Sequence, residues 1–551
     1  MKRLPIDLQS FVEMRNRDMV YVDKTDMIYE LAHSNKYFFL SRPRRFGKSV
    51  LCDTLRCYFE GRKELFEGLK IMELEKDWTC HPVIRLDMSG IDGSARGLAS
   101  RLNAMFNLYE EQYGITPPIE TTEQVLSPHF GARFEQIILS AYKQTGQQVV
   151  VLIDEYDRPL QQTWQTPEHE RTRQIYRSVL ELLKPLGDYL RFVFLTGIVK
   201  FTQLSLFSSI NNLSNISFDG QYATLCGITE AELHHYYDEH VQALADANGL
   251  TKQEAYDRLK QNYDGYHFSR RNMTNVYNPF SLLNALAKQE FTNFWASSGA
   301  SSLLPKFVPN LDMDITRYDS RFYIPRNIIE TSDVSVGNPA LFLYQSGYLT
   351  IQSSDEDAYE LTYPNQEVRS ALYQLVLPSI AQRMEEDVYS QQLWLKRAMN
   401  SGDTEQVFAL LKAQVADIPY SNIKYAERVM HVEERYRMII TIIMRALGFR
   451  VEVERMQAVG RPDLVVYVKE KVYIFELKLQ NNGGARAAAE QIREKHYCDP
   501  FLAGTDTGMD PSQDAVISPD AVVPTTPQVF ALGIGMDDEG KGLIDYEVID
   551  N

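Results

Sequence analysis

"LSRPRRFGKSVLCDTL", residues 40–55, ends like a phosphate-binding loop and begins unlike one. A Walker A loop reads G-x-x-x-x-G-K-[ST], and counting back from Gly47-Lys48-Ser49 puts Arg42 where the first glycine would stand. The apolar run "KYFFLS" (36–41) precedes the turn, and Val50, Leu51, Leu55 and Tyr58 follow it near helical spacing. Strand, tight turn and helix are what such a loop requires. The first N–H groups of the helix attract anionic oxygens, Lys48 reaches the outer phosphates, Ser49 ligates Mg²⁺ and Gly47 lets the backbone come close. Taken alone, Gly-Lys-Ser also suits an ordinary surface turn.

A second stretch changes the balance. "VVVLIDEYD" (149–157) is an apolar strand ending in Asp154 and Glu155. In a Walker B strand the first acid holds Mg²⁺ and the second activates the attacking water. The bland alternative is a pair of carboxylates capping a buried strand, but adjacent carboxylates repel unless a metal or bases compensate them. A third apolar strand, in "FVFLTGIVKF" (192–201), ends at Thr196, where a residue that senses the terminal phosphate would sit. Apolar runs alternating with helical stretches over about 36–225 predict a parallel sheet flanked by helices, with ligands at the C-terminal strand ends.

Composition limits the alternatives. A chain of 551 residues implies two to four domains, and 44% hydrophobic with 24% charged residues is globular. A net charge of −17 disfavours coating nucleic acid through bulk electrostatics, so any such contact is local. The five cysteines form no C-x-x-C pair, and their scatter points to a reducing compartment. The start has no signal-peptide core, and "VVVLI" and "MIITIIM" are far short of the roughly 20 residues needed to span a bilayer. A cytoplasmic protein is expected.

These residues resemble the bacterial AAA-ATPase-like family that often carries a C-terminal nuclease-like domain. The resemblance rests on "YVDKT" (21–25), "RPRRFGKS" (42–49), "LIDEYDRPL" (152–160), "LTGIVKFTQLSLFSSINNL" (195–213), "YDGYHF" (263–268) and "YNPFSLL" (277–283). It implies that an arginine at 42 is a family trait and that ATP with Mg²⁺ is the cofactor pair. Without a glycine at 42, and with Pro43 fixing its own φ, the loop entrance must be extended. Arg44 and Arg45 then either touch phosphate oxygens or form a solvated rim or pair with Asp157. Arg158 and Lys200 are further cations for the terminal phosphate, and an arginine from a neighbouring subunit of a homo-oligomer would serve equally.

From 226 to 375 the chain reads as helices rich in Tyr, His and Glu, with Asn278 before Pro279 as a cap and first-turn pair. Residues 341–376 then read as helix, hairpin, helix, which suits a winged-helix module. "YDGYHF" suggests aromatic packing more than base stacking. His234, His235 and His240 lack ligand spacing and read as a solvated helix face, and Cys52 and Cys57 read as core.

Beyond a helical connection (376–425), "FRVEVERMQAVGRPDLVVYVKEKVYIFELKLQ" (449–480) places Asp463 at the start of one strand and Glu476 and Lys478 on one face of the next. If these strands form a hairpin, Asp463 meets Glu476 across it, and two carboxylates beside an ammonium suit Mg²⁺ and a positioned water. The alternative is a cross-strand charge pair, but "VYIFELKL" is too apolar on both faces for an exposed edge.

The pattern resembles the PD-(D/E)XK nuclease superfamily, with Pro462-Asp463 and Glu476-Leu477-Lys478 as its literal elements. The resemblance implies a helix carboxylate, Glu434 or its neighbour Glu433, and a role for Gln491 on the following helix. A long turn-rich loop (504–527) precedes a final strand pair.

The expected fold is a multidomain α/β protein. An AAA-ATPase-like P-loop domain would span 1–225, a helical lid and winged-helix region 226–375, a helical linker 376–425 and a restriction-endonuclease-like domain 426–551. Glu155, Glu434, Asp463, Glu476, Lys478 and Gln491 are the candidate catalytic residues. Arg44, Arg45, Gly47, Lys48, Ser49, Asp154 and Thr196 are the candidates for ATP, and Ser49, Asp154, Asp463 and Glu476 those for metal. DNA or RNA is the expected substrate. The other reading is a regulatory ATPase whose nuclease-like domain only binds nucleic acid or a protein.

Overall fold

The computed structural model describes residues 1–116, 129–199, 213–295, 304, 315–319, 322–331, 338–381, 385–416, 431–457, 460–502 and 527–549. Two units share the chain in interleaved segments. Met1–Ala255, Tyr266–Glu290 and Tyr323–Leu361 build the first, and Tyr256–Gly265, Phe291–Phe322 and Thr362–Asn551 the second. Lys200 and all of the loop 504–527 but its last residue lie outside the described residues.

The first unit is organised by five strands: β1 (Tyr37–Ser41), β2 (Val83–Asp87), β3 (Val149–Asp154), β4 (Leu190–Gly197) and β5 (Ser214–Asn215). Their order is β2-β3-β4-β1-β5 and every pairing is parallel. All six residues of β3 are buried, which explains its unbroken apolar run: helices cover both faces of a parallel sheet. The order inserts β4 between β1 and β3, and parallel pairing brings the C-terminal ends of all three to one edge. The phosphate-loop stretch, Thr196 and the Asp154-Glu155 pair therefore share that edge.

The helix Lys48–Phe59 leaves β1 and buries Leu51, Cys52, Leu55 and Cys57, so the two cysteines are core residues. Asn278 caps the helix Pro279–Lys288, accepting from the N–H groups of Phe280 and Ser281. The helix Glu230–Asn248 begins with a capping box between Thr229 and Glu232. His234 and His235 on it are exposed as expected, whereas His240 is buried, its Nε2 2.9 Å from the Lys2 carbonyl. The N-terminal segment covers that face, which the helical pattern alone does not reveal.

Three short strands, β6 (Phe322–Pro325), β7 (Thr350–Ser354) and β8 (Ala358–Thr362), form a sheet of order β6-β8-β7. With the helices Pro339–Ser346 and Gln366–Ala381 they give helix, hairpin, helix in sequence, although the last helix belongs to the second unit. Gly347, which ends the first helix at φ 89, lies against the phosphate loop: a Cβ there would stand 2.6 Å from the Cβ of Pro43. Tyr266 donates to the Gly347 carbonyl, and Phe46 packs edge-on against Tyr266 and Phe268. Those two aromatics of "YDGYHF" thus pack onto the loop.

In the second unit β9 (Arg450–Val453), β10 (Leu464–Val468), β11 (Lys471–Leu479), β12 (Gln528–Met536) and β13 (Leu543–Ile549) form a sheet of order β13-β12-β11-β10-β9. The first three strands run as an antiparallel meander, β11 pairs parallel with β12, and β12 antiparallel with β13. A parallel neighbour needs a crossover, and the Ala-rich helix Gly484–Glu494 lies within that connection. It buries Ala489 and Ile492 with Val465, Tyr467, Val472 and Ile474. Among the described residues no helix is long and apolar enough to cross a membrane.

Asp157 fastens the edge at which β3 and β4 end. It is 1% exposed, accepts from the backbone N–H groups of Ile198 (2.9 Å) and Val199 (2.6 Å), and is bonded by the Gln161 amide. It is therefore a backbone clasp, not a partner waiting for Arg45. Burial pushes its pKa up from 3.8 to about 6 against the pull of those N–H groups and Lys48. The folded protein thus holds this proton more firmly than the unfolded chain, so Asp157 favours folding at acidic pH and loses that contribution as pH rises from about 4 to about 6. In urea titrations, wild type should lose stability relative to Asp157→Asn across that window, and the two should run parallel above about pH 7. Curves parallel throughout would reject the raised pKa.

Candidate functional site

At the end of β1 the chain turns through the arginine-rich stretch and enters its helix at Gly47, left-handed at φ 83. No side chain caps this helix, and the space a Cβ would enter at Gly47 is open. Lys48 is buried and its Nζ donates to the carbonyls of Arg42 (2.9 Å) and Pro43 (2.8 Å). Burial lowers its pKa, opposed by the charges of Glu155, Asp154 and Asp157.

The Ser49 hydroxyl lies near enough to Asp154 to lower its pKa, so the two candidate Mg²⁺ ligands are neighbours. Burial raises the pKa of Asp154, while Ser49, Arg85 and Lys48 oppose the rise. Glu155 adopts a left-handed φ of 52, donates its N–H to Asp154 Oδ1, and pairs with Arg158 Nη1 at 3.0 Å. The repulsion expected of adjacent acids is thus relieved by bases: Arg85 lies 3.6 Å from Asp154, and Arg158 neutralises Glu155. Sequence reasoning missed Arg85, although a cation inside the otherwise apolar "PVIRL" was a signal.

The three loop arginines separate. Arg42 is 1% exposed and donates to the carbonyls of Ser41 (2.9 Å), Ser217 (2.8 Å) and Tyr222 (3.1 Å), with its guanidinium 4.1 Å above the Phe268 ring. The residue standing for the missing glycine is an internal strut. Arg45 is exposed at φ 67, lies 3.5 Å from Asp7 and covers the Phe280 ring, which makes it a rim residue. Arg44 is within electrostatic reach of Arg158, Glu155 and Asp157, and burial lowers its pKa. Thr196 is fully buried, and its hydroxyl donates to the Leu40 carbonyl on β1.

In the second unit, Leu464 on β10 stands opposite Phe475 on β11, which puts Asp463 opposite Glu476. The Asp463 N–H donates to Glu476 Oε2 at 3.3 Å, and Asp463 Oδ2 accepts from the Leu477 N–H at 2.8 Å. Lys478 Nζ lies 3.7 Å from Glu476 Oε1, the atom to which the Gln491 amide also donates. Burial, together with the facing Asp463, pushes the pKa of Glu476 up; burial likewise raises Asp463, opposed by Leu477, Arg437 and Lys478. Sequence reasoning passed over Arg437, which bridges Asp463 (3.1 Å) and Glu454 (2.9 Å).

Of the helix carboxylates it is Glu433 that reaches the strand end, accepting from the Leu479 N–H (3.4 Å) and the Asn482 amide (3.3 Å). Glu434 lies beside it in the first turn of Val432–Ala446. Among the described residues no group of three or more His, Cys, Asp or Glu side chains is arranged to hold a metal.

Residues 5–207 match the family described as Predicted AAA-ATPase, and residues 431–507 match the PD-(D/E)XK nuclease superfamily. The chain is 31% identical over 523 residues to the "Uncharacterized protein in vnfD 5'region" of Azotobacter chroococcum mcd 1, covering 91% of this chain and 94% of that relative. No solved structure matches. By these matches the chain belongs to the AAA-ATPase-like family, with a PD-(D/E)XK nuclease superfamily domain in its C-terminal part.

Proposed function

We propose that the protein is a switch driven by ATP binding and hydrolysis, joined to a Mg²⁺-dependent nuclease that cleaves phosphodiester bonds in DNA or RNA in the cytoplasm. The observation that carries the nuclease reading is the pair of carboxyls, the buried Glu476 and the partly buried Asp463, set opposite one another and both with raised pKa values. Such a pair is costly without a cation, and two facing carboxyls are the donor type a divalent ion takes. Asp463 and Glu476 would hold it, with Glu433 as the neighbouring helix carboxylate. Mg²⁺ there would supply a Lewis acid and lower the pKa of a bound water. Lys478 orients that water from the strand face, and Gln491 fixes the Glu476 carboxylate.

The nucleotide site fits ATP on its own observations: a helix N-terminus without a side-chain cap, open space over Gly47, and Ser49 beside Asp154. Gly47 and Lys48 would hold the phosphates, and Ser49 and Asp154 the Mg²⁺. Glu155 accepts the proton of the attacking water, with Arg44 and Arg158 beside it to balance charge. Thr196 supports β1 through Leu40 instead of reaching outward. The second reading, a nuclease-like domain that binds without cutting, is favoured by the absence of a third ligand among the described residues and by the acidic net charge of −17.

Two measurements test these readings. ATP with Mg²⁺ at a hundred times its dissociation constant should stabilise the wild-type protein by about 2.7 kcal/mol, and Lys48→Ala should remove most of that gain. No gain in the wild type would reject nucleotide binding. Separately, wild-type protein incubated with plasmid and single-stranded nucleic acid in Mg²⁺ or Mn²⁺ should cleave at least one substrate, and Asp463→Ala none. Equal cleavage by both rejects this site, and binding without cleavage by the wild type supports the second reading.

A further inference from the structure

The Asp463–Glu476 pair already has a cation, and that cation is part of the chain. Arg437 stands one helical turn after Glu433, and its Nη1 lies 3.1 Å from Asp463 Oδ1 and 2.9 Å from Glu454 Oε1. The other Asp463 oxygen is taken by the Leu477 N–H, and Glu476 by Gln491, Lys478 and the Asp463 N–H. Each pair oxygen a metal would use therefore faces a protein donor, and Arg437 is the cation bonded to Asp463, with the Lys478 charge adding to it.

Arg437 also has somewhere to go. Glu454 is half exposed, so it keeps a partner if Asp463 lets it go. Glu454 sits just past β9 at φ 47, a conformation that non-glycine residues rarely adopt, and its N–H donates to the Asp463 carbonyl. Strain of this kind persists where the surroundings impose it, and it is often found at functional sites. Here it keeps the second acceptor beside the first.

Resting on the nuclease reading above, we propose that Arg437 is a built-in counter-ion that guards the metal site: it holds Asp463 in the resting protein and yields it to a divalent cation when a substrate phosphate offers the guanidinium a better partner. Guanidinium binds phosphate oxygens in the same forked geometry as carboxylate, so the exchange needs no rebuilding of the helix. Metal and nucleic acid then bind cooperatively, and the centre holds its metal more weakly without substrate. A mere strut between helix and strand would behave in the opposite way, since its loss would loosen Asp463 and weaken metal binding.

Mn²⁺ binding to the full-length protein, measured calorimetrically without nucleic acid, separates these roles. Arg437→Gln should bind Mn²⁺ roughly tenfold more tightly than wild type, the equivalent of about one pK unit of lost competition. A short single-stranded oligodeoxynucleotide or oligoribonucleotide should tighten Mn²⁺ binding in the wild type and lose most of that effect in Arg437→Gln. Affinity unchanged or weakened in Arg437→Gln overturns the proposal. Asp463→Asn tests the underlying site: if it binds Mn²⁺ as well as wild type, the metal site itself is wrong, whatever Arg437 does.

Discussion

A buried guanidinium that has no carboxylate partner among the described residues holds the nucleotide half of this protein together. Arg42 gives its charge to three carbonyls, from Ser41, Ser217 and Tyr222, and lays its plane on Phe268. These groups come from β1, from the segment after β5 and from the chain beyond residue 265, so one side chain ties three stretches far apart in sequence. Each carbonyl orphaned in the interior costs about 1–3 kcal/mol, which makes Arg42 hard to replace. Its own carbonyl in turn receives Lys48, so the strut also sets where the phosphate-binding amine rests.

The same principle recurs wherever charges are buried. Asp154 and Glu155 are tolerated side by side because Lys48, Arg85 and Arg158 surround them, and Asp463 and Glu476 because Lys478 and Arg437 do. Neither site is an empty acidic hollow. Each is a balanced cluster in which an incoming phosphate or metal exchanges partners with protein groups, so binding free energy is the difference between two paired states.

Much of this was legible in the sequence, for identifiable reasons. Unbroken apolar runs announced β3 and β4 because strands covered on both faces have no polar side to alternate. The Asp463–Glu476 encounter followed from the period of two along a strand and the short turn between β10 and β11. What stayed hidden depends on side-chain direction across long separations. Nothing near "SRPRRFGKS" tells that Arg42 points inward while Arg45 joins the rim, because Ser217, Tyr222 and Phe268 are contributed from more than 170 residues away. Nor can a helix start choose between Glu433 and Glu434, since one residue is about 100° of rotation. His240 is buried only because Lys2 meets it.

The contact between Gly347 and Pro43 has a mechanical consequence. With no Cβ at Gly347 and a proline ring against it, the two backbones are wedged together, and Tyr266 latches the glycine carbonyl from the other side. Close-packed interiors transmit displacement instead of absorbing it. A side chain at 347 would have to displace Pro43, so this position sets how closely the end of the helix Pro339–Ser346 can approach the loop entrance.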